Sequence, residues 1–305
     1  MALYAFDGTW NTSRVDDNVE DVNDTNVVNF YEAYTGPKWY VSGVGTRLGK
    51  LGHFIGGLTG AGGFQRVGEG YQALCKNWEK GDRDIDIVGF SRGASLALDF
   101  ANRIAELGIR QPGRKQVVEE NPCVRFLGLW DVVGSFGMPI NIGHLEFQKT
   151  NFGHKLEVPG CTEYCFHAMA MDERRQTFRV TRLLNSYEVW FRGAHSDVGG
   201  GNGNTGLSNI ALRWMLRKAR AAGLPVQEPA ASTLDGKVNA DAAISPPKDL
   251  VPNEYRGFLA GDLFHYTVKN RPGHNNPPDE GTRETEGAEG KALKVSEYPT
   301  KAIAV

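Results

Sequence analysis

The segment of residues 84–95, DIDIVGFSRGAS, constrains the fold of this chain more than any other part of it. A β-branched and aromatic run over residues 85–90 predicts a short buried strand, and residues 94–101 carry the apolar spacing of a helix. Between them lies a Gly-x-Ser-x-Gly pentamer. Strand, pentamer and helix in this order are typical of a nucleophile elbow, which presents a strained serine at the top of a sheet. Ser91 is therefore the candidate nucleophile, and a structural glycine-rich turn is the alternative.

Strands and helices are predicted to alternate along the chain. We predict strands at residues 3–6, 38–44, 85–90, 124–133 and 187–192. We predict helices at residues 26–34, 64–80, 94–101 and 207–222. Residues 164–171 fit either structure, and we favour a helix there. The alternation predicts an α/β fold of the α/β-hydrolase-like kind, with a mostly parallel sheet and helices on both faces.

A chain of 305 residues is long enough for one large domain with a well-buried core. We expect a single catalytic domain over residues 1–270, with insertions near 134–160 and 223–252. Residues 271–305 are polar and are expected to form a mobile tail, although residues 293–295 could form a further strand.

Composition excludes several classes of protein. The net charge is −2 without a dense basic cluster, which argues against nucleic-acid binding. No apolar run approaches 18 residues, so no membrane span is expected. The amino terminus lacks a basic start followed by a long apolar region, so we expect no secretory signal and a cytoplasmic location in the producing cell.

The four cysteines are Cys75, Cys123, Cys161 and Cys165, and their spacing contains no Cys-x-x-Cys motif. We interpret them as buried thiols in a reducing cytoplasm. A Cys161–Cys165 disulfide is the alternative if the protein works in an oxidising compartment.

Three polar residues stand at predicted strand ends in the chain order Ser91, Asp131, His195. An α/β-hydrolase presents its nucleophile, acid and histidine in this order. A serine hydroxyl becomes nucleophilic when an imidazole takes its proton, and a carboxylate holds that imidazole in the correct tautomer. These residues are the candidate triad. The alternatives are a surface loop position for His195 and a capping or ion-pair role for Asp131.

Two other carboxylates compete with Asp131 for the role of the acid. Asp197 lies two residues from the candidate histidine and is the alternative acid. Asp172 is a third candidate, although the adjacent Arg174 and Arg175 favour a structural ion-pair network.

Two backbone N–H groups are expected to stabilise the oxyanion of an acyl-transfer reaction. One would come from Arg92, directly after the nucleophile, and the other from the Gly8-Thr9 turn, where glycine permits close backbone approach. A turn merely organised by Asp7 is the equal alternative. This chemistry requires no metal or organic cofactor. A metal site built from Asp7, His195 and Asp197 is a separate alternative, which metal dependence of activity would reveal.

Six short motifs occur in a familiar order. They are DGTWN at 7–11, GVGT at 43–46, GFSRGA at 89–94, WDVVGS at 130–135, DERR at 172–175 and GAHSDVGGG at 193–201. Together they resemble an α/β-hydrolase domain family, formerly of unknown function, that includes phospholipase effectors of bacterial type VI secretion. The resemblance implies a Ser-Asp-His esterase acting on lipids and maps the triad onto Ser91, Asp131 and His195. It also implies a secretion apparatus and an immunity protein as partners, and delivery to another cell.

The chain departs from that family in two ways. Larger effectors add a carboxyl-terminal region thought to engage membranes, which we do not expect within 305 residues. The proline that usually precedes the histidine loop is replaced, and residues 191–193 are Phe-Arg-Gly there. Two alternatives therefore stand beside the phospholipase: a soluble esterase or thioesterase for small acyl substrates, and a non-catalytic hydrolase fold used for binding. The apolar, glycine-rich residues 51–64 are interpreted either as a lid or membrane-contacting loop or as a plain surface loop.

Overall fold

The computed structural model of the chain describes residues 2–8, 24–41, 60–134, 155–175, 178–203, 205–227, 233–245, 254–270, 275–278 and 282–298. Several sequence predictions lie outside these ranges. They are Thr9, the GVGT motif at 43–46, residues 51–59 of the glycine-rich segment, and residues 135–154 of the first insertion.

The strands are β1 (Ala2–Phe6), β2 (Lys38–Val41), β3 (Ile85–Phe90), β4 (Ile109–Arg110), β5 (Val117–Glu119), β6 (Val124–Trp130), β7 (Thr162–Ala170), β8 (Tyr187–Phe191), β9 (Leu263–His265) and β10 (Thr282–Glu284). The α-helices are α1 (Asn26–Ala33), α2 (Gly60–Glu79), α3 (Arg92–Leu107), α4 (His195–Gly199) and α5 (Thr205–Ala221). Short 3₁₀ helices span Tyr266–Asn270, Glu286–Gly290 and Val295–Glu297.

Eight strands form one sheet in the order β10-β9-β8-β7-β6-β3-β1-β2. Every neighbouring pair in it is parallel. The remaining two strands, β4 and β5, pair with each other in antiparallel register. The carboxyl ends of β3, β6, β7 and β8 therefore lie at one edge of the sheet, where such sheets place their functional residues.

Side-chain alternation along the strands separates two cores. Leu3 and Ala5 of β1 pack with the apolar side of α1 and α5. Tyr4 and Phe6 of the same strand pack with α2 and α3. Because successive strand residues point to opposite faces, one strand sequence serves both layers of helices. The predicted α/β-hydrolase-like fold with helices on both faces is confirmed.

The helix predicted at residues 164–171 is wrong, because these residues form most of β7. This strand is buried along its carboxyl-terminal half and pairs with β6 on one side and β8 on the other. A strand covered on both faces has an apolar sequence without clear alternation, so its period does not distinguish it from a buried helix.

The polar tail predicted from residue 271 is wrong for the described residues 282–290. Thr282–Glu284 adds strand β10 parallel to β9. Glu284 and Glu289 are buried and pair with Lys218 at 2.9 Å and Arg213 at 3.0 Å on α5. The charges that indicated a solvated segment are thus neutralised by buried partners on a helix. The strand considered at residues 293–295 is also absent, since this region carries the 3₁₀ helix Val295–Glu297.

Candidate active site

Ser91 stands on the sharp turn between β3 and α3, with φ 60° and ψ −126°. This turn needs glycine on both sides of the serine. A Cβ atom on Gly89 would lie 2.7 Å from the Cα atom of Ala94, and one on Gly93 would lie 2.4 Å from the carbonyl oxygen of Asp7. The spacing of the pentamer therefore follows from the close approach of helix α3 to strands β1 and β3.

Ser91, His195 and Asp131 form one hydrogen-bonded chain. The Ser91 hydroxyl lies 2.8 Å from Nε2 of His195. The other ring nitrogen, Nδ1, lies 2.6 Å from Oδ2 of Asp131. A proton on Nδ1 suits both contacts, because Nδ1 then donates to the carboxylate and Nε2 accepts from the hydroxyl. The structure thus brings together the three residues that the sequence placed at strand ends.

Asp131 follows β6 in a left-handed conformation, with φ 43°. Its backbone N–H donates to Ala168 of β7 at 2.8 Å, and the N–H of Ala170 donates to Oδ1 at 2.9 Å. Arg256 donates to both carboxylate oxygens, at 2.6 Å and 3.0 Å. Burial raises the pKa of Asp131, but the charge of Arg256 and the hydrogen bond from His195 outweigh it and hold the pKa well below its usual range.

Sequence reasoning did not identify Arg256. It lies 125 positions from Asp131, in a polar segment without a motif. No signal in a single sequence connects the two residues.

The imidazole of His195 is held by the backbone and by two aromatic rings. The His195 N–H donates to Oε2 of Glu173 at 3.2 Å. The rings of Phe90 and Phe178 pack on the imidazole with centroid distances of 4.6 Å and 4.8 Å. Burial raises the pKa of Glu173, whereas the hydrogen bonds and charge of Arg175 outweigh it, so the pKa stays below its usual value. The DERR motif thus positions the histidine loop.

Asp197 and Asp172 have contacts other than the imidazole. Oδ2 of Asp197 accepts from the N–H groups of Ala194 and Ser245, at 2.9 Å and 2.8 Å. Asp172 accepts from Arg192 at 2.8 Å and from the N–H of Gly193 at 2.7 Å. Both carboxylates therefore shape the loop that carries His195, and the structure brings Asp131 rather than Asp197 to the ring.

The two proposed oxyanion donors differ in their surroundings. The N–H of Arg92 lies in the first turn of α3, where backbone donors have no partner within the helix. The N–H of Gly8 donates to Oδ1 of Asp7 at 2.6 Å. Gly8 itself lies beside the nucleophile, because a Cβ atom on it would lie 3.4 Å from Cβ of Ser91. Asp7 thus organises the turn, as the alternative interpretation held.

The residues of the alternative metal site do not converge. Asp7 accepts from Tyr40 at 2.7 Å and from Thr25 at 2.8 Å, in addition to Gly8. The imidazole of His195 and the carboxylate of Asp197 have the other partners given above. Among the described residues, no three His, Cys, Asp or Glu side chains are arranged to hold a metal ion.

All four cysteines lie within the described residues and are free thiols, so Cys161 and Cys165 form no disulfide. Cys75 and Cys165 are buried as predicted, whereas the prediction is wrong for Cys123, which is exposed, and Cys161 is half-buried. Within the described part of the chain, no helix is long and apolar enough to cross a membrane.

A parallel sheet with helices on both faces, and a serine presented on a strained turn between strand and helix, defines the chain as an α/β-hydrolase-like protein. A family model described as the catalytic domain of Tle1-like phospholipase effectors of the type VI secretion system matches residues 3–120 and 109–218. The chain belongs to this family, and the resemblance carried by the six motifs is confirmed.

Two solved structures are similar in fold. An uncharacterized protein from Pseudomonas aeruginosa aligns with a TM-score of 0.54 and 22% identity, over 78% of this chain and 48% of that one. The Tle1 effector, in a structure with the VgrG spike of the type 6 secretion system, aligns with a TM-score of 0.50 and 24% identity, over 67% and 51%. The chain thus spans about half the length of these proteins. No curated protein matches it.

Proposed function

We propose that this chain is a serine hydrolase of carboxylic esters, and that its substrate is a phospholipid. The continuous hydrogen-bonded path from Ser91 Oγ through His195 to Asp131 carries the proposal for the chemistry. Membership of the Tle1-like family supports a lipid rather than another ester.

In the proposed reaction, Ser91 Oγ attacks the ester carbonyl carbon while its proton passes to Nε2 of His195. The tetrahedral intermediate collapses as Nε2 returns that proton to the leaving alcohol oxygen and the carbon–oxygen bond breaks. Water then attacks the acyl-enzyme, giving its proton to His195. Cleavage of the acyl bond releases a fatty acid, and the same proton restores the Ser91 hydroxyl. Asp131 stabilises the imidazolium that forms in each half of the cycle.

The proposed oxyanion hole consists of the N–H of Arg92 and an N–H of the Gly8-Thr9 turn. The bond between Gly8 and Asp7 directs this proposal towards Thr9 as the second donor. The amino terminus of α3, where Arg92 lies, would add a positive electrostatic field that stabilises the oxyanion.

The proposed setting is delivery of an effector into another cell, where it meets a membrane surface. A Tle1 effector is bound to the VgrG spike in a solved structure. Because this chain belongs to the same family, we propose a secretion apparatus as its partner. An immunity protein in the producing cell, as the sequence resemblance implied, completes the proposal.

Labelling with a fluorophosphonate probe tests the nucleophile. Wild type should label, and Ser91→Ala should lose labelling and at least about 10⁴-fold of its esterase activity. Ser95→Ala is the matched control: Ser95 is buried one turn along the same helix and donates to the carbonyl of Val133 at 2.9 Å. Labelling of this control should persist. A folded wild type that does not label would favour the binding-module alternative.

The substrate class needs a second comparison. Hydrolysis of phosphatidylethanolamine and phosphatidylglycerol vesicles should exceed hydrolysis of p-nitrophenyl butyrate, and should disappear in Ser91→Ala. Turnover of the soluble ester alone, with no fatty acid released from vesicles, would favour the small-ester esterase.

A further inference from the structure

Arg256 forms a two-pronged ion pair with the acid of the proposed triad. Its side chain is only 7% exposed, and that of Asp131 is fully buried. Nη1 lies 2.6 Å from Oδ1 and Nη2 lies 3.0 Å from Oδ2. Two parallel N–H···O bonds fix a carboxylate in both distance and rotation, which a single donor does not.

Both oxygens of Asp131 also have a second donor. Oδ1 accepts from the N–H of Ala170, and Oδ2 accepts from Nδ1 of His195. Arg256 and Ala170 together hold the carboxylate in the orientation in which Oδ2 faces the imidazole. The backbone of Asp131 has a strained conformation that few residues adopt. Such a conformation persists only where surrounding contacts hold it, and the bonds to the carboxylate are contacts of this kind.

The guanidinium of Arg256 also donates hydrogen bonds to two backbone carbonyls that border the site. Nη1 donates to the carbonyl of Ala170, at the end of β7, and Nη2 donates to the carbonyl of Phe178. The ring of Phe178 packs edge-on against the imidazole of His195. One side chain therefore connects the acid, a strand end and the aromatic residue beside the histidine.

We infer that Arg256 is a positioning residue of the hydrolase site: it orients Asp131 towards His195 and keeps this carboxylate ionised at moderately acidic pH. The inference rests on the proposed function of Ser91, Asp131 and His195. Arg256 lies beyond residues 3–120 and 109–218, to which the family model extends, so the match itself does not supply it.

The charges around Asp131 and His195 explain why Arg256 should affect the protonation of the carboxylate. Burial would otherwise raise the pKa of the Asp131 carboxyl, and the charge of Arg256 is the largest of the effects that oppose burial, ahead of those of His195. Glu173 faces the backbone of His195 and is itself paired with Arg175. Without the guanidinium, a buried negative charge would face the imidazole uncompensated. Asp131 would then bind a proton at higher pH, and a neutral Asp131 cannot stabilise the imidazolium that forms when Ser91 is activated.

A buried histidine–carboxylate contact lies behind the turn that follows Asp131. His167 receives the N–H of Val132 through Nε2 and contacts Glu188 through Nδ1, at 3.1 Å in both cases. His167 contacts the backbone of the turn and Glu188 contacts His167, whereas the described side-chain partners of the Asp131 carboxylate are Arg256 and His195.

The test is the rate constant of fluorophosphonate labelling measured against pH, which needs no knowledge of the natural substrate. In Arg256→Gln, the maximal rate should fall by about 10- to 100-fold, and the pH at which labelling is half-maximal on the acidic side should rise by about one unit. Arg256→Lys keeps the charge but cannot span both oxygens. It should lose maximal rate while the acidic midpoint stays within about 0.3 unit of wild type.

Arg125→Gln is the matched control. Arg125 forms an equally two-pronged pair with the buried Asp86 at the opposite end of β6, through Nε at 2.9 Å and Nη2 at 2.5 Å. It should lower thermal stability and leave both the maximal rate and the acidic midpoint unchanged.

The outcomes separate this inference from the function on which it rests. Absence of Ser91 labelling in folded wild type would overturn the proposed function. Labelling of wild type, with a folded Arg256→Gln whose acidic midpoint does not move, would overturn the role of Arg256 alone. If Arg256→Gln does not fold, Arg256→Lys decides the question: a wild-type maximal rate in this variant overturns the inference, and a reduced rate with an unmoved midpoint supports it.

Discussion

At the scale of single residues, backbone strain coincides with the proposed chemistry. Among the described residues, the non-glycine positions with positive φ are Ser91, Asp131 and Asn185. Two of the three belong to the proposed triad. Such conformations cost about 1–3 kcal/mol each and persist only where surrounding contacts determine them. For Ser91 these contacts include its N–H bond to Trp130, at 3.0 Å, and the bond that its carbonyl accepts from Val133, at 3.3 Å.

Asp7 is a buried carboxylate whose surroundings shift its pKa from the value that it has in water. Burial raises its pKa from 3.8 to about 6, although hydrogen bonds from Tyr40, Thr25 and Gly8 act in the opposite direction. Between these values the folded state keeps a proton that the unfolded state has released. Stability contributed by Asp7 is therefore present below about pH 4 and is lost as pH rises through about 6.

The first prediction concerns Asp7→Asn, which cannot ionise. Its free energy of unfolding relative to wild type should rise by about 2 kcal/mol between pH 4 and pH 7, because only the wild type must bury a charge at the higher pH. Urea unfolding at both pH values measures the difference. Asp241→Asn, at an exposed position, controls for the loss of one carboxylate. A difference for Asp7→Asn that is the same at both pH values would contradict the buried ionisation.

At the scale of elements, strand β7 supports the turn at the end of β6. Asp131 donates its N–H to the carbonyl of Ala168, and Val132 donates its N–H to Nε2 of His167. The other ring nitrogen of His167 contacts Glu188 of β8, which also pairs with Arg182 at 2.8 Å. A mid-strand histidine thus satisfies a buried backbone donor next to the proposed acid. Its position in the sequence indicated no such role.

We therefore expect His167→Leu to affect both stability and reactivity. The change leaves the Val132 N–H unpaired and removes a partner of the buried Glu188. It should cost about 2–4 kcal/mol of stability and lower the labelling rate of Ser91. His265→Leu is the control, because His265 is equally buried and contacts Glu289 at 2.8 Å, away from the triad. Equal losses of labelling rate in both variants would refute a specific role for His167.

At the scale of the whole molecule, the carboxyl-terminal segments complete the sheet and its buried charges. Strands β9 and β10 extend the sheet beyond β8, and the 3₁₀ helix Glu286–Gly290 packs against α5. Glu289 is fully buried there and pairs with Arg213 and Arg217, each at 3.0 Å. The family match ends at residue 218, so this part of the fold lies outside it.

Removing one partner of this cluster should reveal how far the tail contributes to the domain. Glu289→Ala leaves Arg213 and His265 without their buried carboxylate, and should cost about 3–5 kcal/mol in the free energy of unfolding. Lys294→Ala breaks the more exposed pair with Glu163, at 2.7 Å, and should leave the stability close to that of the wild type, because water screens this pair. Urea titration of both variants measures the contrast. Similar small losses would mean that the segment contributes little to the stability of the domain.

Neighbouring positions along the chain specify the local features of the fold. Periodicity and glycine spacing are local, so the α/β class, the elbow at Ser91 and most helices and strands could be predicted. Chain order and strand ends were enough to select Asp131 and His195, because parallel strands bring their carboxyl ends to one edge. Family membership followed from short motifs in a fixed order.

The groups that surround these residues depend on contacts between distant parts of the chain. The bond from Arg256 to Asp131 spans 125 positions, and the bond from Arg213 to Glu289 spans 76. Contacts between such distant residues produce no periodic pattern in one sequence. A charged residue in the sequence also gives no indication of whether water solvates its charge or a buried partner neutralises it. For the same reason β7 resembled a helix and residues 282–290 resembled a solvated tail. Their neighbours, which complete the burial, are remote along the chain.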